Sequence, residues 1–403
     1  MPLSLEEQLQ MKDLELTALF ETIRAINENA SEVDLYKIYK FILRSKTNFS
    51  KLALYVKDLD WECKTYFGTE HFYDEISLPR SVLEYTEISD LSDTLDLDYF
   101  TEFDKIIPVK HKEVVLAFVF LGISNGLDNL EKLDLAFINA LSNIIIVAIE
   151  NKKFARKEQQ QQDYNRQLDI AKNVQHLLFP KKLPNSTELK VEASYLPHHT
   201  IGGDYYDFLE LSETSRLLCI ADVSGKGIPA AILMSNFQAG LRVLAMKNKD
   251  LEEVVADLNK LIIQNSQGEN FITAFFLLYD IESKTLSYVN AGHNPPFIFR
   301  DGKVKRLLAG TTVLGSFPEL PFIETGIEEN LDKFLVFSFT DGFTETYNEK
   351  GEEFGEEDLE YFISNNLLLD PKTMHAKLIA LLNTFKGRNA YADDITLLSL
   401  HVN

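Results

Sequence analysis

Over roughly the first 45 residues, apolar positions recur at helical spacing. Leu14, Leu16, Leu19, Phe20, Ile23 and Ile26 form one set, and Leu35, Ile38, Tyr39 and Ile42 a second. The polar break Asn27-Glu28-Asn29-Ala30-Ser31 separates them, with Ser31 placed to cap the second helix. The period then changes to two. Leu52-Ala53-Leu54-Tyr55-Val56 reads as a strand, and Trp61 to Phe67 alternates as its hairpin partner. Ile106-Ile107-Pro108-Val109 and Val114 to Leu121 predict another hairpin across Lys110-His111-Lys112-Glu113, and a helix from Asp134 to Phe154 follows. This helix, strand, helix order predicts an α+β domain over residues 1–150.

Residues 151–180 read as a helical linker. Lys157 to Asp163 is polar all round, and then Leu168, Ala171, Val174 and Leu178 give a narrow apolar stripe that Pro180 and Pro184 end. A thin stripe on an exposed helix predicts a coiled-coil seam, hence a homodimer; a rigid spacer is the plainer reading. From Val191 the pattern is short strands with helices between. Strands are predicted at 191–196, 204–210, 215–223, 272–280, 284–290, 296–300, 334–340 and 394–401. Helices are predicted at 228–246, 250–265, 356–366 and 371–385. Residues 181–403 are thus a layered α/β domain built on antiparallel strands. No Walker loop and no GxGxxG lies between strand and helix, which excludes the doubly wound nucleotide folds.

Acidic residues punctuate the strand ends of this second domain. Asp204 follows Gly202-Gly203, Asp222 ends the run Leu217 to Ala221, Asp341 ends Phe334 to Thr340, and Asp393-Asp394 begins Ile395 to Leu398. Taken singly, each is a cap or turn residue. Four such carboxylates from separate segments, gathered at one sheet edge, repel one another and call for cations. An oxygen-only set suits Mg²⁺ or Mn²⁺. Two ions about 3.5–4 Å apart can hold a hydroxide and clamp a phosphoryl group. Gly202-Gly203 lets the backbone approach closely, and the tight turn that Gly225 and Gly227 permit would let the Val223 carbonyl join the ligands.

Composition narrows the partners. A length of 403 residues favours two domains. A net charge of -22 argues against nucleic acid or an anionic membrane as the main partner. Cys63 and Cys219 form no CxxC motif and no disulfide framework. Met1-Pro2 and the acidic, amphipathic segment after it carry no signal-peptide pattern. The apolar stretch Leu135 to Ile149 is interrupted by Asn139, Ser142 and Asn143 and is too short to span a bilayer. The expected location is the cytoplasm.

Gly-Gly-Asp-Tyr-Tyr-Asp-Phe at 202–208, Ala-Asp-Val-Ser-Gly-Lys-Gly at 221–227, Asn-Ala-Gly-His-Asn-Pro-Pro at 290–296, Thr-Asp-Gly at 340–342 and Ala-Asp-Asp-Ile-Thr at 392–396 occur in that order. Together they resemble the metal-dependent PPM (PP2C-like) serine/threonine phosphatases, in particular the SpoIIE/RsbU branch, over roughly residues 165–403. The first domain loosely resembles the GAF sensor family, without a haem, bilin or metal motif. The PPM resemblance implies an αββα sandwich with two Mn²⁺ or Mg²⁺ ions. It implies Asp222 as the bridging ligand with the Val223 carbonyl beside it, and Asp204, Asp341 and Asp393 as further ligands. Asp204 and Asp222 would be the catalytic pair, directing an activated hydroxide at phosphoserine or phosphothreonine. Gly203, Asp207, Ser224, Lys226, His293, Gly342 and Asp394 are candidates for supporting or substrate contacts.

Two departures stand out. Ser224 occupies the position of a histidine proposed as general acid in the eukaryotic branch, which leaves that role unassigned. No arginine near Asp204 matches the phosphate-binding arginine of that branch; Lys226 is a candidate, with a solvated turn lysine as its plain reading. His293 reads as a backbone-bonded turn histidine, and His198-His199 as surface residues. The resemblance implies a signal-regulated phosphatase acting on a phosphorylated STAS-type anti-sigma-factor antagonist, with an unidentified input at the first domain. The alternative is a catalytically silent sensor and dimerisation scaffold that binds a signalling partner.

Overall fold

Ser31 caps the second helix as its position predicts: its Oγ accepts the Asp34 amide at 3.1 Å. In this computed structural model, the described residues are 5–47, 49–91, 99–123, 131–198, 200–247, 250–266 and 268–403. His199 and the Met1-Pro2 start lie outside them. The chain forms two compact units, Met1–Gln162 and Asp163–Asn403.

The first unit contains α1 (Leu5–Asn27), α2 (Glu32–Lys46), β1 (Phe49–Lys57), β2 (Trp61–Phe67), β3 (Ser89–Asp90), β4 (Lys105–His111) and β5 (Val114–Ile123). Its antiparallel sheet has the order β2-β1-β5-β4-β3. The interior strand β1 is largely buried on both faces. Leu52, Leu54 and Val56 pack with Tyr39, Leu43 and Ile145 on the helix side. Ala53 and Tyr55 pack with Tyr73, Phe100, Phe103 and Phe120 on the other. Alternation along one strand therefore feeds two cores.

One helix, α3 (Glu131–His176), runs past Gln162. Its middle, Lys157 to Gln162, is rich in Lys, Glu and Gln and contains no Gly or Pro, so nothing in it interrupts the helix. The stripe expected at 168–178 does not share one face. Leu168, Ala171 and Leu178 are half-buried and Gln175 is buried, whereas Val174 is 57% exposed beside exposed Ile170 and Leu177. Steps of three residues rotate back by about 60° each, so Val174 falls about 120° from Leu168. By length and composition, α3 and α4 (Ile228–Lys247) are apolar enough to cross a membrane. The stretch from Leu135 is thus part of a longer apolar helix than its sequence pattern marks out. Both helices bury a face in a core: Ile138, Leu141 and Ile145 in the first unit, and Leu233, Met234 and Phe237 in the second.

The second unit continues with β6 (Leu189–Leu196), β7 (Tyr205–Glu210), β8 (Ser215–Val223), α4, α5 (Leu251–Ser266), β9 (Ile272–Asp280), β10 (Thr285–Ala291), β11 (Phe297–Arg300) and β12 (Lys303–Arg306). It ends with β13 (Gly310–Thr311), β14 (Gly326–Glu328), β15 (Phe334–Phe339), α6 (Asp341–Thr344), α7 (Glu356–Ser364), α8 (Pro371–Lys386) and β16 (Ile395–Val402). One sheet has the order β13-β10-β9-β8-β7, with β14 also on β10; the other has the order β12-β11-β15-β16-β6. Leu218, Ile220, Phe275, Leu277, Val336, Leu398 and Leu400 fill the space between the sheets. Cys219, Ala221 and Val223 turn the opposite way, onto α4 and α5. Leu335, Phe337, Ile395 and Leu397 face α7 and α8. The layers are therefore helix, sheet, sheet, helix, and each strand's alternation assigns its side chains to two of the three cores.

Candidate functional site

Antiparallel pairing places the end of one strand beside the start of its neighbour. Tyr205 pairs with Ala221, so Asp204 at the start of β7 and Asp222 at the end of β8 come to one edge. Phe339 pairs with Leu397, which brings Asp341 after β15 to the same end of its sheet as Asp393 and Asp394 before β16. Thr340 links the two sheets there: its Oγ1 donates to Asp204 Oδ2 at 2.9 Å.

Asp204 is 1% exposed and its carboxyl lies beside that of Asp222. Burial first, and the Asp222 charge next, hold the Asp204 carboxyl well above the usual carboxylate range. Asp222 is also raised, by burial and then by Asp341. Asp341 is raised by burial and then by Asp393. Burial and mutual repulsion thus act together on these three carboxyls. Among the described residues, no three His, Cys, Asp or Glu side chains already close around a common point. The donors are nonetheless the oxygens that Mg²⁺ or Mn²⁺ takes, and a divalent ion would relieve their repulsion. The backbone also fits. A Cβ on Gly203 would lie 2.8 Å from the Val223 carbonyl oxygen, so the main chain crosses that oxygen where only glycine passes.

The supporting residues divide by role. Asp394 staples the loop before Asp204: Oδ1 accepts the His198 amide and Oδ2 the Gly203 amide, each at 2.7 Å. A side chain on Gly202 would strike Asp394 Oδ2 and Tyr195 Oη, and one on Gly342 would strike the Asp394 carbonyl. Asp207 lies away from the edge in an ion pair: Arg242 Nε donates to its Oδ2 at 2.8 Å and Nη2 to its Oδ1 at 3.1 Å. Ser224 Oγ accepts the Phe271 amide at 2.9 Å and so ties β8 to the segment before β9. His293 is buried beneath the edge, with Nδ1 3.0 Å from Thr273 Oγ1 and its amide donating to Asn290 Oδ1 at 2.8 Å. Burial pushes its imidazole down to about 4. Lys226 Nζ lies 2.8 Å from Asp393 Oδ2 and donates to the Ala392 carbonyl at 3.0 Å.

Three residues carry roles that the sequence reading did not assign. Thr396 Oγ1 donates to Asp204 Oδ2 at 2.6 Å, beside the Thr340 hydroxyl, and the Thr396 amide donates to Thr340 Oγ1 at 2.8 Å. Both threonines lie inside motifs already singled out, one residue before Asp341 and two after Asp394. The third is Gln175 in the last turn of α3, whose Nε2 donates to the Gly202 carbonyl at 2.8 Å. Its signal was a polar residue amid the apolar positions of that helix.

The SiaA-PP2C domain of Pseudomonas aeruginosa aligns with a TM-score of 0.54 at 20% identity, over 60% of this chain and 99% of that domain. The two-sheet sandwich is therefore a PP2C-type phosphatase fold. Residues 212–403 match the family model of Stage II sporulation protein E (SpoIIE). Phosphoserine phosphatase RsbU of Bacillus subtilis is 33% identical over 194 residues, which is 47% of this chain and 57% of RsbU. Protein IcfG of Synechocystis is 26% identical over 265 residues, which is 59% of this chain and 42% of IcfG. The second unit is similar to the SpoIIE/RsbU branch of the PPM-type phosphatases. The chain spans about half the length of these curated relatives.

Proposed function

We propose that this protein is a signal-regulated protein serine/threonine phosphatase of the cytoplasm. The observation that carries the reading is the buried contact between Asp204 and Asp222 at an edge shared with Asp341, Asp393 and the Val223 carbonyl. Asp222 would bridge two Mn²⁺ or Mg²⁺ ions, with Asp204, Asp341, Asp393 and the Val223 carbonyl completing the ligands. When bound, such ions activate water and clamp a phosphoryl group. The chain's own residues set the geometry: Thr340 and Thr396 fix one oxygen of Asp204, and Asp394 holds the Gly203 amide. The substrate we propose is a phosphorylated STAS-type antagonist. Residues 1–150 would act as a GAF-like input domain and residues 151–180 as the linker of a homodimer.

The test is Mn²⁺-dependent hydrolysis of an aryl phosphate and of a folded phosphoprotein by the full chain. Asp222→Asn should abolish both while leaving the circular dichroism spectrum unchanged; wild-type turnover in that variant removes the two-ion reading. The alternative is the catalytically silent sensor and dimerisation scaffold. Absence of turnover at saturating Mn²⁺, with every phosphoprotein tested, would select the scaffold.

A further inference from the structure

We propose that Lys226 is an internal cation with two stations. It pairs with Asp393 while that carboxylate lacks a metal ion, and it moves onto the substrate phosphate once an ion takes Asp393. This rests on the phosphatase reading above and assigns that site the cationic phosphate contact it otherwise lacks.

Lys226 stands between Gly225 and Gly227, whose φ angles of 92° and 74° only glycine adopts readily. Its stem crosses from the β8–α4 turn to the segment before β16, where the ammonium bonds the Ala392 carbonyl and pairs with Asp393. Among the described residues, no other lysine or arginine forms an ion pair with Asp204, Asp222, Asp341, Asp393 or Asp394. One ammonium therefore serves an edge built from five carboxylates.

The pair is placed to open. The Lys226 and Asp393 side chains are 47% and 43% exposed. A Cβ built on Gly227 meets nothing within 4 Å, and one on Gly225 meets Asn270 Oδ1 alone, at 3.6 Å. The glycines on either side of Lys226 thus have open space beside them. Lysine is a point charge on a flexible four-carbon stem with three donors, two of which are engaged here. A divalent ion on Asp393 cancels the charge that holds the ammonium and repels it. A phosphate bound beside that ion is then the strongest anion within the stem's reach, and charge-assisted hydrogen bonds to phosphate are among the strong ones. The same side chain thus competes with metal before loading and supports substrate after it.

These two roles predict effects of opposite sign. Lys226→Met keeps the length of the side chain and removes its charge. By calorimetry on the full chain, its Mn²⁺ Kd should fall by about 2- to 5-fold, the range of a half-exposed ion pair. Its inhibition constant for inorganic phosphate, measured at saturating Mn²⁺, should rise by about 10-fold or more, as for loss of a hydrogen bond to a charged group. Lys226→Arg, which keeps the charge, should restore the phosphate constant. An unchanged or weaker Mn²⁺ affinity in Lys226→Met overturns the first station, and an unchanged phosphate constant overturns the second. Equal loss of phosphate affinity in the Arg and Met variants would trace the effect to the shape of the turn and overturn the charge role. A wild-type chain that binds no Mn²⁺ defeats the phosphatase reading itself. A wild-type chain that binds Mn²⁺ no differently from Lys226→Met defeats this inference alone.

Discussion

Thr396→Val removes one hydroxyl and almost nothing else. Thr396 is fully buried, and its hydroxyl and that of Thr340 both donate to the same oxygen, Asp204 Oδ2. Burial and the Asp222 charge hold the Asp204 carboxyl well above its usual range, and the Thr396 and Thr340 hydroxyls pull the other way. With a cation bound the carboxyl is ionised, and each hydroxyl then contributes about 1.5–3 kcal/mol, as a hydrogen bond to a charged group. The substitution should therefore weaken Mn²⁺ binding by about 10- to 100-fold, the range for partners that orient metal ligands. The Tm of the metal-free chain should fall much less. Calorimetric titration with Mn²⁺ and thermal unfolding without metal, both on the full chain, measure the two quantities. A Kd within twofold of wild type would refute the reasoning, as would a large Tm loss with Kd unchanged. Either result would make the threonine pair a packing feature rather than a device for orienting Asp204.

Four further outcomes are expected. Gln175→Leu, which removes the bond to the Gly202 carbonyl, should weaken Mn²⁺ binding while leaving urea stability within about 1 kcal/mol, the net worth of one hydrogen bond; unchanged binding would disconnect α3 from the site. Arg242→Leu should cost about 2–4 kcal/mol in urea unfolding, because Asp207 is left buried and unpaired, less than for a fully buried pair since Arg242 is about one-third exposed; a loss under about 1 kcal/mol would contradict this. Burial pushes His375 down to about 3 and His401 to about 4, so the folded chain binds fewer protons than the unfolded one below pH 6.5. Their share of stability is complete above pH 6.5 and is lost as pH falls towards 4, by up to about 1.4 kcal/mol per unit for each histidine; His375→Gln should flatten the urea-stability slope between pH 7 and 5, and an identical slope would count against it. Val174→Glu should shift light scattering from dimer to monomer if exposed Ile170, Val174 and Leu177 form the seam, and an unchanged mass would leave α3 a spacer.

Long, strongly periodic elements were legible in the sequence. Helices expected at 228–246 and 371–385 lie at Ile228–Lys247 and Pro371–Lys386, and the strands expected at 272–280 and 284–290 lie at Ile272–Asp280 and Thr285–Ala291 and pair with each other. What was hard to see depends on pairing between distant segments. The short strands Lys303–Arg306, Gly310–Thr311 and Gly326–Glu328 have too few residues for a period to show, and they form because partners are already in place. The carboxylates could be named from their position at strand ends, but the two hydroxyls on Asp204 Oδ2 could not. Threonine beside a strand end is common, and only the register between β15 and β16 brings Thr340 and Thr396 together. Lys226 reads as a solvated turn residue until the segment at Ala392, over 160 positions away in sequence, is brought beside it.

The same dependence on distant partners explains why the end of α3 bears on the edge at all. Gly202 and Gly203 are gripped from two directions. Gln175 donates to the Gly202 carbonyl, and the Gly203 amide donates to Asp394. Asp204 follows directly, so its main chain inherits whatever position those two bonds set. Just past the helix, the Leu178 carbonyl accepts Arg242 Nη2 at 3.0 Å and Gln238 Nε2 at 3.4 Å, both from α4. That fixes the helix end against the layer that packs on β7 and β8. A turn of α3 by one residue, about 100°, would carry Gln175 off the Gly202 carbonyl while Asp394 kept its hold on Gly203. The glycine pair would then be restrained on one side only, and glycine has the widest backbone freedom of any residue. Metal ligation tolerates little of that freedom, since about 1 Å of displacement can cost on the order of 100-fold in rate. A helix that contributes no ligand can thus set how well the first ligand is placed, and Gln175→Leu measures that contribution without disturbing any carboxylate.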